Sequence, residues 1–376
     1  MANHIEQLQI ETFRGIKKLT IDNVGTVNIL VGDNNAGKTT VLEAIQLLCN
    51  PSRFNLIRIA IQREKYKTSI RMGLGILNSV LYLFDVKASS KEENNYYISV
   101  GGKINNEIGN VKITGKVVNQ LIDLNEVEKY NSIARNKLNQ SLIEAQEETP
   151  SFIGKIVNEF HDKQLSFIES DKYNDFEIND YSRIVRSNNE KPLLKVESIQ
   201  TIDHVIENVF DKLIKNKLIK EKAVELLKEF DESITDIRYI SDDNKFVPVI
   251  ENDENNYIPL SLYGDGMKKA LTMLNAMINA ENGVVLIDEF ETALHTSAMK
   301  KVFKFILEIA KKMNVQLFLT THSIEAVDKL LESSGKDIDN VKVIRLKKKG
   351  EITLTKVIEG KEALEDRREY NMELRI

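Results

Sequence analysis

Val27-Asn28-Ile29-Leu30-Val31-Gly32-Asp33-Asn34-Asn35-Ala36-Gly37-Lys38-Thr39-Thr40-Val41-Leu42-Glu43-Ala44-Ile45-Gln46-Leu47-Leu48 is the stretch on which the reading of this chain turns. Val27, Ile29 and Val31 alternate in the manner of a strand. From Lys38 the apolar residues recur at helical spacing, and Pro51 lies just beyond their end. Between strand and helix, residues 32–39 match the phosphate-loop pattern G-x-x-x-x-G-K-[ST] at every required position. Glycines let such a loop fold tightly and turn its N–H groups toward phosphate oxygens, and the positive end of the following helix points at the same place. In that arrangement Lys38 reaches the β- and γ-phosphates of ATP and the Thr39 hydroxyl ligates Mg²⁺. Gly32, Asp33, Asn34, Asn35, Ala36, Gly37 and Thr40 are expected to complete the cradle. The rival reading, a chance match in a glycine turn, does not account for the flanking strand and helix.

A nucleotide site of this kind needs a carboxylate at the end of a neighbouring strand. Val284-Val285-Leu286-Ile287-Asp288-Glu289 supplies it, four apolar residues reading as a strand buried on both faces with two acids after it. Asp288 is expected to hold Mg²⁺ through water, and Glu289 to orient and polarise the attacking water. The competing reading is an acidic helix start, which loses weight beside a phosphate loop. Thr320-Thr321-His322-Ser323 ends the next strand, so His322 is expected at the γ-phosphate as a hydrogen-bonding sensor. Glu289, His322 and Lys38 are thus the candidate catalytic residues, and Thr39 and Asp288 the candidate metal ligands. His295 could simply lead into a helix, and His4, His161 and His204 read as surface or structural residues.

The rest of the chain extends the pattern. Residues 5–13, 16–21 and 27–31 read as strands, with Asp22-Asn23 and Gly25 as turn chemistry. The middle suggests a helix at 70–84, strands at 96–100 and 111–113, and helices at about 121–148, 152–160 and 205–230. Regular patterning returns at 237–240 and 247–250. A loop at 260–266 opens a helix, and a strand–helix–strand–helix run follows, closed by a hairpin that turns at Gly350. The expectation is an α/β fold with a mixed sheet flanked by helices. Residues 1–51 and 236–376 form its ATPase domain, and 52–235 form a largely helical insertion for assembly or sensing.

Composition narrows the function classes. With 42% hydrophobic and 29% charged residues over 376 positions, the chain has the make-up of a soluble protein with a real core. No apolar run approaches a membrane span, no secretion signal is visible, and a cytoplasmic address is expected. The single Cys49 rules out an intramolecular disulfide and a cysteine-based zinc site. A net charge of −5 argues against coating nucleic acid non-specifically. Lys347-Lys348-Lys349 and Lys212, Lys215, Lys217, Lys220 and Lys222 read as solvated faces.

Three further segments carry a resemblance. Ile10-Glu11-Thr12-Phe13-Arg14-Gly15-Ile16 looks like the short F-R-x-(I/F) segment ahead of the phosphate loop in the ABC-type ATPase heads of the RecF, SMC and OLD families. Pro259-Leu260-Ser261-Leu262-Tyr263-Gly264-Asp265-Gly266-Met267-Lys268-Lys269 is similar to the OLD-type signature region. Leu286-Ile287-Asp288-Glu289-Phe290-Glu291-Thr292-Ala293-Leu294-His295 is similar to the OLD-type Walker B and its following loop. The resemblance is nearest to stand-alone OLD-type ATPase subunits of two-component phage-defence systems such as PARIS.

It implies a P-loop NTPase of ABC-ATPase-head type that pairs head-to-head around ATP. Arg14 then joins the nucleotide site, and Gly264, Asp265 and Gly266 complete the site of a second copy. It also implies a homodimer or higher homo-oligomer, slow turnover suited to a switch, and a separate effector, a Toprim-like or other nuclease or a toxin. Nucleic acid would be reached through the assembly, and no membrane is involved. Gly264 stands where a serine is usual, and no glutamine is clearly placed for the loop joining the lobes, Gln62 being a weak candidate. A RecF-like DNA-repair ATPase is the alternative.

Overall fold

The computed structural model describes residues 3–63, 74–85, 95–123, 146–160, 173–182, 192–201, 211–242, 245–254, 256–370 and 373–374. β1 (Ile5–Phe13), β2 (Ile16–Ile21) and β3 (Val27–Val31) are followed by α1 (Lys38–Cys49), α2 (Arg53–Gln62) and α3 (Ile76–Leu81). Then come β4 (Asn95–Ile104), β5 (Glu107–Asp123), β6 (Gln146–Asn158), β7 (Tyr173–Ile178) and β8 (Val196–Ile199). Helices α4 (Asp211–Lys215) and α5 (Lys217–Lys228) precede a small sheet of β9 (Ile234–Asp242), β10 (Lys245–Asn252) and β11 (Tyr257–Pro259). The chain then runs through α6 (Asp265–Asn279), β12 (Val284–Ile287), α7 (Thr296–Lys312), β13 (Gln316–Thr320) and α8 (Ile324–Ser334). It closes with the hairpin β14 (Val341–Lys349) and β15 (Ile352–Glu359), then α9 (Gly360–Tyr370).

Among the described residues one sheet has the order β7-β6-β5-β4-β1-β2-β15-β14-β3-β13-β12-β8. From β14 to β8 the neighbours run parallel. On the other side β7, β6, β5, β4, β1 and β2 pair antiparallel in succession. The sheet is therefore mixed, as expected. Alternation explains how its centre is covered on both sides. Val27, Ile29, Val31, Val285 and Ile287 enter one core, with residues of α6, α7 and α8. Leu30, Val284, Leu286 and Phe318 enter the other, with residues of α1 and α2. A strand apolar on both faces is stable only between two such layers.

Two expectations for the middle region are corrected. Residues 152–160 do not form a helix, because β6 runs from Gln146 to Asn158 and pairs with both β5 and β7. Residues 121–123 and 146–148 are likewise the paired ends of β5 and β6, and residues 124–145 lie outside the described residues. The insertion is thus not largely helical among its described residues, since β4–β8 dominate it. Phe152, Ile153, Ile156 and Val157 satisfy a helical period, but tertiary packing overrides it. Gly115 and Gly154 face each other across the ladder, and a Cβ on Gly154 would lie 2.6 Å from the Phe152 and Phe176 rings. Phe152 stands 5.2 Å from Phe84 and 5.8 Å from Phe176, so an aromatic cluster fixes the strand instead. Of the helix expected at 205–230, residues 211–228 form α4 and α5, broken at Asn216, whose side chain caps α5, and residues 205–210 lie outside the described residues. No described helix is long and apolar enough to cross a membrane.

Candidate nucleotide site

The phosphate loop has the backbone its sequence demands. Gly32 adopts φ +145°, and a Cβ there would fall 2.2 Å from the Leu346 carbonyl oxygen, so only glycine passes beneath β14. Gly37 at φ +96° begins α1. Lys38 is buried, its Nζ donating to the carbonyl oxygens of Gly32 (2.7 Å) and Asp33 (3.1 Å) and lying 3.5 Å from His322 Nδ1. Burial lowers its pKa from the ordinary lysine value, opposed by the charges of Asp288, Asp33, Glu289 and Glu291.

β3, β12 and β13 are parallel neighbours, so their carboxyl ends open on one edge of the sheet. That edge collects residues far apart in sequence. The Thr39 hydroxyl donates to Asp288, 3.1 Å from each carboxylate oxygen. Thr320 Oγ1 donates to Asp288 Oδ1 at 2.6 Å and accepts the Glu289 N–H at 2.9 Å. Glu289 has φ +46°, uncommon for a residue with a side chain, and Thr292 Oγ1 donates to its Oε2 at 3.3 Å. Glu291 Oε1 accepts the His322 N–H at 3.2 Å, which ties the loop after β12 to the loop after β13.

A family model described as AAA ATPase domain matches residues 4–327. The chain belongs to that family. It is similar to an ATP/GTP phosphatase of Helicobacter pylori, 26% identical over 345 residues, covering 86% of each chain. A shorter stretch of 66 residues is 38% identical to the DNA replication and repair protein RecF of Pseudoalteromonas translucida, covering 16% of this chain and 18% of that one. Among solved structures the chain is similar to the SMC head domain from Thermotoga maritima, at 12% identity and a TM-score of 0.44, covering 95% of this chain and 99% of that one. The AAA ATPase domain of this chain is a large mixed sheet flanked by helices, with the phosphate loop between β3 and α1.

Other expected positions of the AAA ATPase domain lie apart from this cluster. Arg14 Nε forms a 2.7 Å ion pair with Glu43, a buried residue of α1, and Arg14 Nη2 donates to the Ile59 carbonyl at 3.3 Å. Gly264 precedes the first turn of α6, the Asp265 carboxylate pairs with Lys268 at 2.7 Å, and Gly266 packs against the Ala293 carbonyl. His295 caps α7 with its ring accepting the Ser297 N–H, and buried His4 lies 2.9 Å from the Asn314 carbonyl through Nε2. His161 and His204 lie outside the described residues. Gln62 is buried on α2 and donates to Glu43 at 3.1 Å, away from the strand ends.

Four residues were missed by sequence reasoning. Gln200 directly follows β8, the parallel neighbour of β12, so it stands at the same edge as Asp288. Its strand, Val196–Ile199, is too short to stand out in an irregular stretch. Glu291 and Thr320 were visible in the motif blocks but carried no assigned role. Arg63 forks onto Glu43, with Nε to Oε1 and Nη2 to Oε2 both at 2.7 Å, and Nη2 also donates to Thr40 Oγ1 at 3.3 Å. Arg63 and Thr40 line a cleft of about 630 Å³ with Arg14, Lys17, Tyr82 and Lys348. Thr40, the residue after Thr39, is where this cleft touches the start of α1.

The residues present fit Mg²⁺. Asp288 and Thr39 offer hard oxygen donors, and a hydroxyl that donates its proton to Asp288 keeps lone pairs for a cation. Mg²⁺ takes one or two protein oxygens and fills its remaining positions with phosphate and water. Among the described residues no group of three or more His, Cys, Asp or Glu is built to hold a metal unaided.

Proposed function

We propose that this chain binds ATP with Mg²⁺ and hydrolyses it slowly, pairing head-to-head with a second copy around the nucleotide. The observation that carries this reading is the Thr39–Asp288 hydrogen bond, which joins phosphate loop and acidic strand end with Lys38 beside His322. Lys38 holds the β- and γ-phosphates, and residues 32–37 donate backbone N–H groups to them. Thr39 and Asp288 would hold Mg²⁺, which would neutralise phosphate charge. Glu289 orients the attacking water and accepts its proton, and His322 hydrogen-bonds the γ-phosphate. Gln200 faces the same edge and is assigned to water or cation positioning. The cleft at Arg14, Thr40 and Arg63 accepts the nucleoside and α-phosphate end. The relative in Helicobacter pylori described as an ATP/GTP phosphatase supports the hydrolytic part.

Within that reading the protein is a sensor or switch subunit, of the OLD type in phage defence, and controls a separate nuclease or toxin. Strands β4–β7 offer surface for assembly or sensing. Glu289→Gln tests the enzymatic core. Turnover should fall by about 10²–10³-fold while ATP still binds, since general-base loss leaves binding groups intact. Unchanged turnover in a filter-based phosphate assay would remove Glu289 from the mechanism. The RecF-like alternative draws on the local similarity to RecF. Salt-dependent DNA binding by the isolated protein would make it the better reading.

A further inference from the structure

We infer that Thr320 is a positioning residue for the acidic pair, setting both the Asp288 carboxylate and the Glu289 backbone through one hydroxyl. The inference rests on the ATPase reading above and deepens it. Thr320 is the last residue of β13 and is 1% exposed. A hydroxyl carries one proton and two lone pairs. Here the proton goes to Asp288 Oδ1 at 2.6 Å, and a lone pair receives the Glu289 N–H at 2.9 Å. The Thr320 carbonyl receives the next N–H, that of Phe290, at 3.1 Å. Three consecutive residues of the acidic strand end are therefore fixed by one residue of the adjacent strand.

The geometry gives each contact a task. Asp288 Oδ1 is shared between Thr320 and Thr39, while Oδ2 is touched by Thr39 alone among the hydrogen bonds described, so the carboxylate presents a defined oxygen outward. Glu289 departs from β12 at φ +46°, a turn that persists only when neighbours hold it. Without the Thr320 oxygen its half-buried N–H would lose the partner it has here. Sequence alone gave Thr320 no role, because it reads as one more β-branched strand residue.

The test compares Thr320→Val, which keeps shape and loses the hydroxyl, with Thr320→Ser, which keeps the hydroxyl, in the full chain. Mn²⁺ serves as a paramagnetic probe, titrated by electron paramagnetic resonance in the presence of a non-hydrolysable ATP analogue. T320V should weaken Mn²⁺ binding by about 10–100-fold, the usual cost of removing an outer hydrogen-bond partner of a ligand. Its nucleotide affinity in EDTA, carried by Lys38 and the loop backbone, should change less than about two-fold. T320S should recover to within about three-fold of wild type. Wild-type Mn²⁺ affinity in T320V, or equal loss in T320S and T320V, would overturn the inference. If T320V does not fold, as judged by circular dichroism, T320A is compared with T320S on the same criteria. Wild-type protein that binds nucleotide under no condition would sink the ATPase reading itself, whereas binding wild type with an unaffected T320V sinks only this inference.

Discussion

Lys38 is anchored before any phosphate arrives, since the Gly32 and Asp33 carbonyls already accept two of its three ammonium protons. The loop is preorganised, and the lysine stays near the position a phosphate needs. Its burial has a pH consequence with a definite sign. Phosphate binds the ammonium form, so ATP affinity should fall as pH rises through the lowered Lys38 pKa, by up to about tenfold per pH unit. The fall starts at lower pH than an ordinary lysine would give, and calorimetric titrations across the alkaline range check it. Stability of the nucleotide-free protein runs the other way. With the folded pKa below the unfolded one, the unfolded chain binds more protons between the two values, so stability rises with pH across that window. Lys38→Ala should abolish measurable ATP binding at any pH. At this scale the grouping was legible, because Lys38, Thr39, Asp288, Glu289 and His322 each sit in a pattern whose physics is local. Gln200 and Arg63 were not, because their meaning comes from which strand or helix lies beside them.

α6 meets the loop that follows β12 where Gly266 passes the Ala293 carbonyl. An added Cβ would stand 2.9 Å from that oxygen, closer than side-chain carbons come to backbone. Gly266→Ala should therefore push the start of α6 away from the acidic loop, costing about 1–3 kcal/mol in denaturant unfolding. ATP turnover should drop with it. Elements were read well at both ends of the chain, where apolar runs of strand length alternate with long amphipathic helices. The strands at 96–100 and 111–113 were legible as parts of β4 and β5, but 121–123 and 146–160 were read poorly, because Phe152, Ile156 and Phe160 imitate a helix. The signal for the strand was the Gly115–Gly154 pair, and it becomes visible only once the two segments are known to be neighbours. Phe152→Ala should cost about 3–5 kcal/mol by emptying the ring cluster shared with Phe84, Tyr96 and Phe176.

For the whole molecule, the proposed pairing depends on Gly264 reaching a nucleotide held by another copy. Gly264 is exposed, at φ −63°, and a Cβ there would meet nothing within 4 Å. Gly264→Glu should thus leave stability within about 0.5 kcal/mol of wild type. It should nevertheless prevent the doubling of mass that light scattering is expected to record for Glu289→Gln with ATP, because a carboxylate would oppose the partner's phosphates. A monomer of Glu289→Gln under saturating ATP would refute the pairing. The strand order has a mechanical side as well. β3 is gripped by parallel ladders from β13 and β14, so tension along it must shear two rows of hydrogen bonds at once. The β5–β6 ladder, gripped at 123 and 146, opens instead like a zipper, one residue pair after another. A force applied to that ribbon is relieved by peeling, pair by pair, which makes the ribbon a mechanical fuse.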